Sequence, residues 1–183
     1  NVRRNSLMDF VNVQSNGKIA MKLDEGDKLI NVRICHEDND IMLAARSGKC
    51  IRFPVTDVRV FVGRNSTGVR GIKLAEGDEV ISMSILLHSD ATSEERDEYA
   101  RIASAIKRIS AERGDDSCVS PEDTGLLNVL TTEKYKEMAE REQFILSVTS
   151  TGYGKRTSSY EYRVTGRGGQ GIACLLYTSD AAD

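Results

Sequence analysis

Short apolar runs separated by charged or glycine turns fill the first half of the chain. KIAMKL (18–23), KLINVRIC (28–35), IMLAARS (41–47), KCIRFPV (49–55), GIKL (71–74) and EVISMSILL (79–87) are rich in Ile, Val and Leu, and many alternate. A period of two places alternate side chains on opposite faces of a strand, so these runs predict short β-strands. DEGD, AEGD, HEDND and SGK fall between them and predict turns. The apolar side of each strand can fill one face of a sheet and leave Lys and Arg on the other.

The pattern repeats. KIAMKLDEGDKLI (Lys18 to Ile30) aligns with VRGIKLAEGDEVI (Val69 to Ile81) at an offset of 51, pairing Met21 with Ile72 and Gly26-Asp27 with Gly77-Asp78. DIMLAARSGKCIRF (Asp40 to Phe53) aligns with FILSVTSTGYGKRT (Phe144 to Thr157) at an offset of 104, with Gly48 over Gly152 and Arg52 over Arg156. Units of about 50 residues fall in the range of propeller blades and other stacked arrays. One such unit cannot bury its apolar face alone, so neighbours must stack.

One stretch departs from period two. DATSEERDEYARIASAIKRISAERG, from Asp90, opens with a capping box of Thr92 and Glu95. Tyr99, Ile102, Ile106 and Ile109 share one side of a helix, and Gly114 is a natural stop. A second short helix is predicted over 133–142, with Tyr135, Met138 and Ala139 on one face. The connection between them, up to Gly125, reads as flexible. Residues 91–142 are therefore expected to be a helical hairpin inserted in a β repeat. Its apolar stripe suits a docking face or a hairpin seam better than a cofactor site.

Composition narrows the functional classes. The 183 residues carry a formal net charge of −3, few aromatics and no Trp. No run approaches the ~18 apolar residues of a membrane span, and NVRRNSLMDF has no apolar core of a signal peptide. The missing initiator Met suggests a chain cut from something longer. Cys35, Cys50, Cys118 and Cys174 form no C-x-x-C, which points to reduced thiols rather than a zinc site or a disulfide framework. His36 and His88 each stand alone, and a surface turn, HEDND, accounts for His36. No acid/base pair, activated nucleophile or metal cluster emerges, so an independent enzyme is not expected.

The net charge hides an asymmetry. Residues 90–142 hold 14 acidic and 8 basic side chains, whereas the rest of the chain holds 17 basic and 14 acidic. Residues 40–73 are sharper still: Arg46, Lys49, Arg52, Arg59, Arg64, Arg70 and Lys73 against Asp40 and Asp57. A basic stripe in an acidic chain points to a polyanion, although a solvated face would look the same. Within this setting two basic glycine boxes recur at an offset of 100, GRNSTGVRG (63–71) and RVTGRGGQG (163–171). Glycine lets a backbone approach a phosphate closely, and successive N–H groups can cradle an anion. The first box offers Arg64, Ser66, Thr67, Arg70 and the amides of Gly68 and Gly71. The second offers Arg163, Thr165, Arg167 and the amides of Gly168 and Gly169. Neither is a P-loop or a dinucleotide fingerprint. Repeated sites suit a long polyanion, held by contacts that position DNA without reading its bases. The competing reading is that the glycines serve only tight turns.

GKIAMKLDEGDKLI, SGKCIRFPVTDVR, GRNSTGVRGIKLAEGDEVISM and GYGKRTSSYEYRVTGRGGQGI, in this order, resemble the C-terminal domain of the bacterial DNA gyrase A subunit. The resemblance runs from about Asn5 to Ile172 outside the helical stretch, and an insertion at this point resembles gyrases of alphaproteobacteria. It implies an all-β pinwheel, a propeller-like disc with a basic rim around which duplex DNA bends. The wrap would bias ATP-dependent strand passage toward negative supercoiling. The expected DNA-contacting residues are Arg46, Lys49, Arg52, Arg64, Arg70, Lys73, Lys155, Arg156, Arg163 and Arg167, with backbone phosphate contacts at Gly68, Gly71, Gly168 and Gly169. Alternation along strands implies that some of these point elsewhere. ATP and Mg would be used by the B subunit of the parent enzyme together with its cleavage core, so no cofactor is expected in this chain. The implied partners are double-stranded DNA without sequence preference, the gyrase B subunit, plus a second A subunit, in the cytoplasm beside the chromosome. The family's cleavage tyrosine follows an Arg. No Arg-Tyr dipeptide occurs here, which excludes Tyr99, Tyr135, Tyr153, Tyr160, Tyr162 and Tyr177.

Two departures from the family pattern matter. The signature box Q-[RK]-R-G-G-[KR]-G is matched only in part, at Thr165 to Gly171, where a later and degenerate copy would lie. This chain is then an incomplete pinwheel: blades over 1–90, the insertion over 91–142, and a following blade over 143–172. ACLLYTSDAAD (173–183) lacks the next strand and reads as foreign read-through. The alternatives are the equivalent C-terminal domain of topoisomerase IV and a propeller that binds proteins through the helical insert.

Overall fold

The computed structural model describes residues 1–63, 65–113 and 119–174. Its elements are β1 (Asn39–Ala45), β2 (Lys49–Pro54), β3 (Val80–Leu87), α1 (Ser93–Arg113), α2 (Thr132–Arg141), β4 (Phe144–Val148), β5 (Gly154–Ser158) and β6 (Ile172–Ala173). The described residues fall into two compact units, one of 1–88 with 164–174, the other within Ser89–Arg163.

The first unit is built on an antiparallel sheet of order β3-β1-β2-β6. Gly48, at φ +79°, closes the β1–β2 hairpin, and its amide donates to the Ala45 carbonyl at 3.0 Å. Ile41 lies opposite Phe53 and Ile85, and Leu43 opposite Ile51 and Met83. This face packs on Val55, Val58, Phe61 and Ile72 to form the core. The opposite face of the hairpin is buried too, against the expectation of solvated cations there. Asp40 and Arg52 form an ion pair on it, with side chains 0% and 2% exposed.

Among the described residues three predicted strands do not form, at 18–23, 28–35 and 71–74. Among the described residues, 18–23 and 28–35 join no ladder. Turns at 14–17 and 24–27 do form, closed by Gly17 to Gln14 and Asp27 to Asp24 bonds. Yet Ile19, Leu23, Leu29, Ile30, Val32 and Ile34 remain exposed. The cause is the lack of a neighbour rather than of propensity, since backbone N–H and C=O groups need an edge to pair with. The sequence copy at 69–81 has such neighbours. Val69 bridges Val2, the amide of Lys73 donates to Gly169, and β3 pairs with β1.

The second unit holds the predicted helical hairpin. The capping box forms, with the Thr92 amide donating to Glu95 Oε2 at 2.7 Å and the Glu95 amide to Thr92 Oγ1 at 3.2 Å. Thr131 caps α2 by accepting from the Lys134 amide. Tyr99, Ile102, Leu130, Tyr135, Met138 and Tyr160 form its core, with Ile106 at the margin. The apolar stripe of α1 is thus a seam. The Gly114 stop lies outside the described residues. Glu98 is 1% exposed and its carboxylate accepts from the amides of Asn128, Val129 and Leu130 at 2.7–3.0 Å. That clamp fixes the chain entering α2. The β4–β5 hairpin belongs to this unit and is followed by a 3-10 turn at Ser159–Glu161, as β2 is followed by one at Val55–Asp57. The sequence repeat at an offset of 104 is therefore a structural repeat. Residues 143–163 group with the helices, whereas 164–174 join the first unit.

Ala173 and Cys174, expected in a foreign tail, continue the first sheet. Ala173 pairs with Lys49, and the Cys174 amide donates to Gly48. Cys174 also forms a disulfide with Cys50 across a Cα–Cα distance of 5.7 Å, where free thiols were expected. The β2–β6 pairing that brings these residues together has no signature in cysteine spacing. Cys35 is free, and burial raises its thiol pKa against the opposing pull of Arg4.

Candidate nucleic-acid interface

The two glycine boxes lie side by side in the first unit. The Gly168 amide donates to the Gly71 carbonyl at 2.6 Å, and the Lys73 amide to the Gly169 carbonyl at 2.8 Å. The Arg167 side chain stitches them further, through Nη1 to the Arg70 carbonyl at 3.2 Å and Nε to the Asp57 carbonyl at 3.0 Å. Thr165 anchors the second box on β2 by donating its amide to the Arg52 carbonyl at 2.8 Å.

Close backbone packing explains several of the glycines. Gly68 has φ +87°, and a Cβ there would sit 2.2 Å from the Val2 carbonyl oxygen. A Cβ on Gly71 would sit 2.6 Å from Leu43 Cδ1. These facts correct three of the four backbone phosphate contacts. The Gly68 amide is bonded to Ser66 Oγ at 3.1 Å, the Gly168 amide is bonded to Gly71, and Gly71 is buried. Gly169 is exposed.

The predicted cations divide in the same way. In the first unit Lys49, Arg70, Lys73 and Arg167 are exposed. Arg46 is also exposed and is ion-paired with Glu79. Arg52 is not a surface residue. Its Nε donates to Asp40 Oδ2 at 2.8 Å and its Nη2 to the Leu87 carbonyl at 2.9 Å, so it holds the sheet together. His88 is not alone either, since its Nδ1 lies 2.7 Å from Asp40 Oδ1. Arg64 lies outside the described residues. In the second unit Lys155, Arg156 and Arg163 are exposed, and the Arg156 guanidinium lies 4.5 Å from the Phe144 ring centre.

Two further cations join the first box. Arg59 lies 4.2 Å and Arg3 5.3 Å from the centre of the Phe61 ring, which is only 3% exposed. Arg3 also donates to the carbonyls of Ser66, at 2.6 Å, and Gly63. The Arg59–Phe61 pair was legible in the sequence, because residues two apart in extended chain share a face. Arg3 was not, because its contacts are more than 50 residues away. The Asp78 carboxylate sits beside Ser47 and Lys49. The Ser47 hydroxyl bond, with Ser47 and Glu79 amides and nearby Lys49, holds the Asp78 carboxyl below its ordinary pKa.

The surface so built offers guanidinium and ammonium groups around a stiff backbone. Such groups suit phosphate. Among the described residues no cluster of His, Cys, Asp and Glu could hold a metal, and no helix is long and apolar enough to cross a membrane.

Comparison with known proteins agrees with this architecture. A family model described as the DNA gyrase C-terminal domain, β-propeller, matches residues 2–36, 39–86 and 143–180. The unmatched stretch 87–142 contains both helices. The DNA gyrase A subunit of Granulibacter bethesdensis is 55% identical over 94% of this chain and 19% of its own length. That of Rickettsia bellii is 52% identical over 94% of this chain and 18% of its length. Both are alphaproteobacterial, as the insertion suggested. The gyrase A subunit of Staphylococcus aureus is 31% identical over 97% of this chain and 14% of its length. The chain thus spans under a fifth of the length of these relatives. A solved DNA gyrase A C-terminal domain matches with TM-score 0.52 and 20% identity over 90% of this chain and 36% of that one. The C-terminal domain of DNA topoisomerase IV matches with TM-score 0.52 and 17% identity over 87% and 34%. On the family match and these relatives, the chain belongs to the DNA gyrase C-terminal β-propeller family.

Proposed function

We propose that this chain is a DNA-binding and DNA-wrapping part of a type IIA topoisomerase, the A subunit of a DNA gyrase. It bends duplex DNA around basic blade edges and so biases ATP-dependent strand passage toward negative supercoiling. The observation that carries this reading is the side-by-side packing of the two basic glycine boxes. Arg70, Lys73 and Arg167 come from segments far apart in sequence and stand on backbones joined by hydrogen bonds. A surface of cations fixed on a shared backbone favours a long phosphate track. The partners on this reading are duplex DNA, the gyrase B subunit, plus a second A subunit, in the bacterial cytoplasm. ATP and Mg act in the other parts of that assembly. Fold likeness alone does not separate gyrase from topoisomerase IV, since both solved domains give TM-score 0.52. The sequence relatives favour gyrase. The test is fluorescence anisotropy of a long duplex with the 183-residue chain across a salt series. Steep salt dependence without sequence preference supports the reading. A folded chain that ignores DNA at low salt overturns it in favour of a protein-binding propeller.

A further inference from the structure

We infer that Tyr153 is an uncharged phosphate contact of the DNA track, its hydroxyl donating to a backbone phosphate oxygen of the duplex. The inference rests on the DNA-binding reading and adds to it a residue that charge does not mark. Tyr153 lies at the tip of the β4–β5 hairpin and is 72% exposed. Its backbone is held on both sides. The Thr149 amide donates to the Tyr153 carbonyl at 2.8 Å, and the Tyr153 amide donates to Thr149 Oγ1 at 3.1 Å. Gly152, at φ +90°, turns the chain just before it. Tyr99, Tyr160 and Tyr162 bond their hydroxyls to Glu142, the Met138 carbonyl and Thr157 within the unit. Among the described residues no group bonds the hydroxyl of Tyr153.

The hairpin suits an anion. Residues 143–160 contain no Asp or Glu, whereas residues 90–142 carry 14. Lys155 is exposed, lies two residues along the chain and shares the face of Tyr153, with Ser147 opposite it. Two residues of strand span about 6.6 Å, close to the separation of neighbouring phosphates along one DNA strand. A phenol hydroxyl and an ammonium so placed can hold adjacent phosphates, and Tyr hydroxyls are among the groups that do so. The repeat supports the same position. The offset of 104 sets Tyr153 over Lys49, and Lys49 stays exposed although Ala173 of β6 pairs with it. The exposure of this position therefore persists where its outer strand is in place. One blade sets an ammonium there and the other a phenol.

A neutral donor has its own signature. It adds affinity but releases no counterion, so its loss weakens binding equally at every salt concentration. The test is fluorescence anisotropy of a long duplex across a salt series, with the 183-residue chain, Tyr153→Phe and Lys155→Ala. Tyr153→Phe should bind about fivefold more weakly throughout, with an unchanged slope of log K against log salt. Lys155→Ala should lose affinity and also flatten the slope by about 0.9. A Tyr153→Phe variant that binds as tightly as the original chain overturns the inference, and a loss at Lys155→Ala in the same series then leaves the DNA-binding reading standing. A loss at Tyr153→Phe that comes with a flatter slope overturns it too, because a neutral contact releases no counterions. A folded chain that ignores DNA at low salt overturns both.

Discussion

The amide of Gly168 donates to the carbonyl of Gly71 at 2.6 Å, and this bond joins two boxes that the sequence holds far apart. The same packing accounts for glycine at Gly68, where the Val2 carbonyl leaves no room for a side chain. Gly48 shares a positive φ, +79°, but a Cβ there would meet nothing within 4 Å. Gly48→Ala should therefore cost only the left-handed backbone penalty of about 1–2 kcal/mol. Gly68→Ala should cost about 2 kcal/mol more, because the obstacle is backbone and cannot rotate away. Urea midpoints of the two variants measure the difference.

Arg52 and Asp40 give a second prediction, because their burial separates a structural cation from a DNA contact. Asp40→Ala should destabilise the first unit by about 3–5 kcal/mol by leaving the guanidinium buried without its anion. Arg52→Met should also destabilise it, though by less than Asp40→Ala, because His88 Nδ1 still lies 2.7 Å from Asp40 Oδ1. The double variant Asp40→Leu/Arg52→Met should lose less than either single change, since it removes both charges. Denaturation of the three variants checks this order. If the cost of the two single changes simply added in the double variant, the pair would not be coupled as its 2.8 Å bond implies.

Local chemistry was legible in the sequence and partnership was not. The strands at 39–45, 49–54 and 80–87, the capping box at Thr92 and the repeat at an offset of 104 all follow from residue type and spacing, and each formed. The strands expected at 18–23 and 28–35 have the right residues but lack an edge, and an edge is a property of the rest of the molecule. The same limit governed the site. Arg52 carries the same alternation signal as its neighbours, and only the position of Asp40 across the hairpin shows that it is buried. Arg3 reached the first box through tertiary contacts that no local pattern encodes.

The DNA reading predicts which cations matter. Arg59→Glu, Arg70→Glu and Lys73→Glu change exposed side chains without cutting a hydrogen bond described above. Each should weaken duplex binding and lower the magnitude of the log K against log salt slope by about 0.9 or more. Arg167 differs, because its guanidinium also ties the Asp57 and Arg70 carbonyls. Arg167→Glu should therefore lower the melting temperature as well as the affinity. Anisotropy titrations across a salt series, paired with melts, separate the two effects. Unchanged slopes for all three exposed positions would remove the first box from the interface.

The last prediction concerns acid and the helical unit. Burial raises the pKa of Glu98, but the amides of Asn128, Leu130 and Val129, with Arg101 nearby, outweigh it and hold the carboxyl below its ordinary range. A carboxyl whose folded pKa is depressed stabilises the fold above its unfolded pKa, about 4.3 for Glu. That contribution fades as pH falls through the lower folded value. The unit should thus be indifferent to pH between about 7 and 5 on account of this group, and should lose helix stability progressively below about 4.3. Melts followed by far-ultraviolet circular dichroism across that range test the sign. Glu98→Gln should be less stable at neutral pH, because a neutral amide replaces a charged acceptor of three N–H groups. It should also flatten the acid limb. A variant with the same acid limb as the original chain would assign the acid sensitivity to other carboxylates and leave the clamp without a role in it.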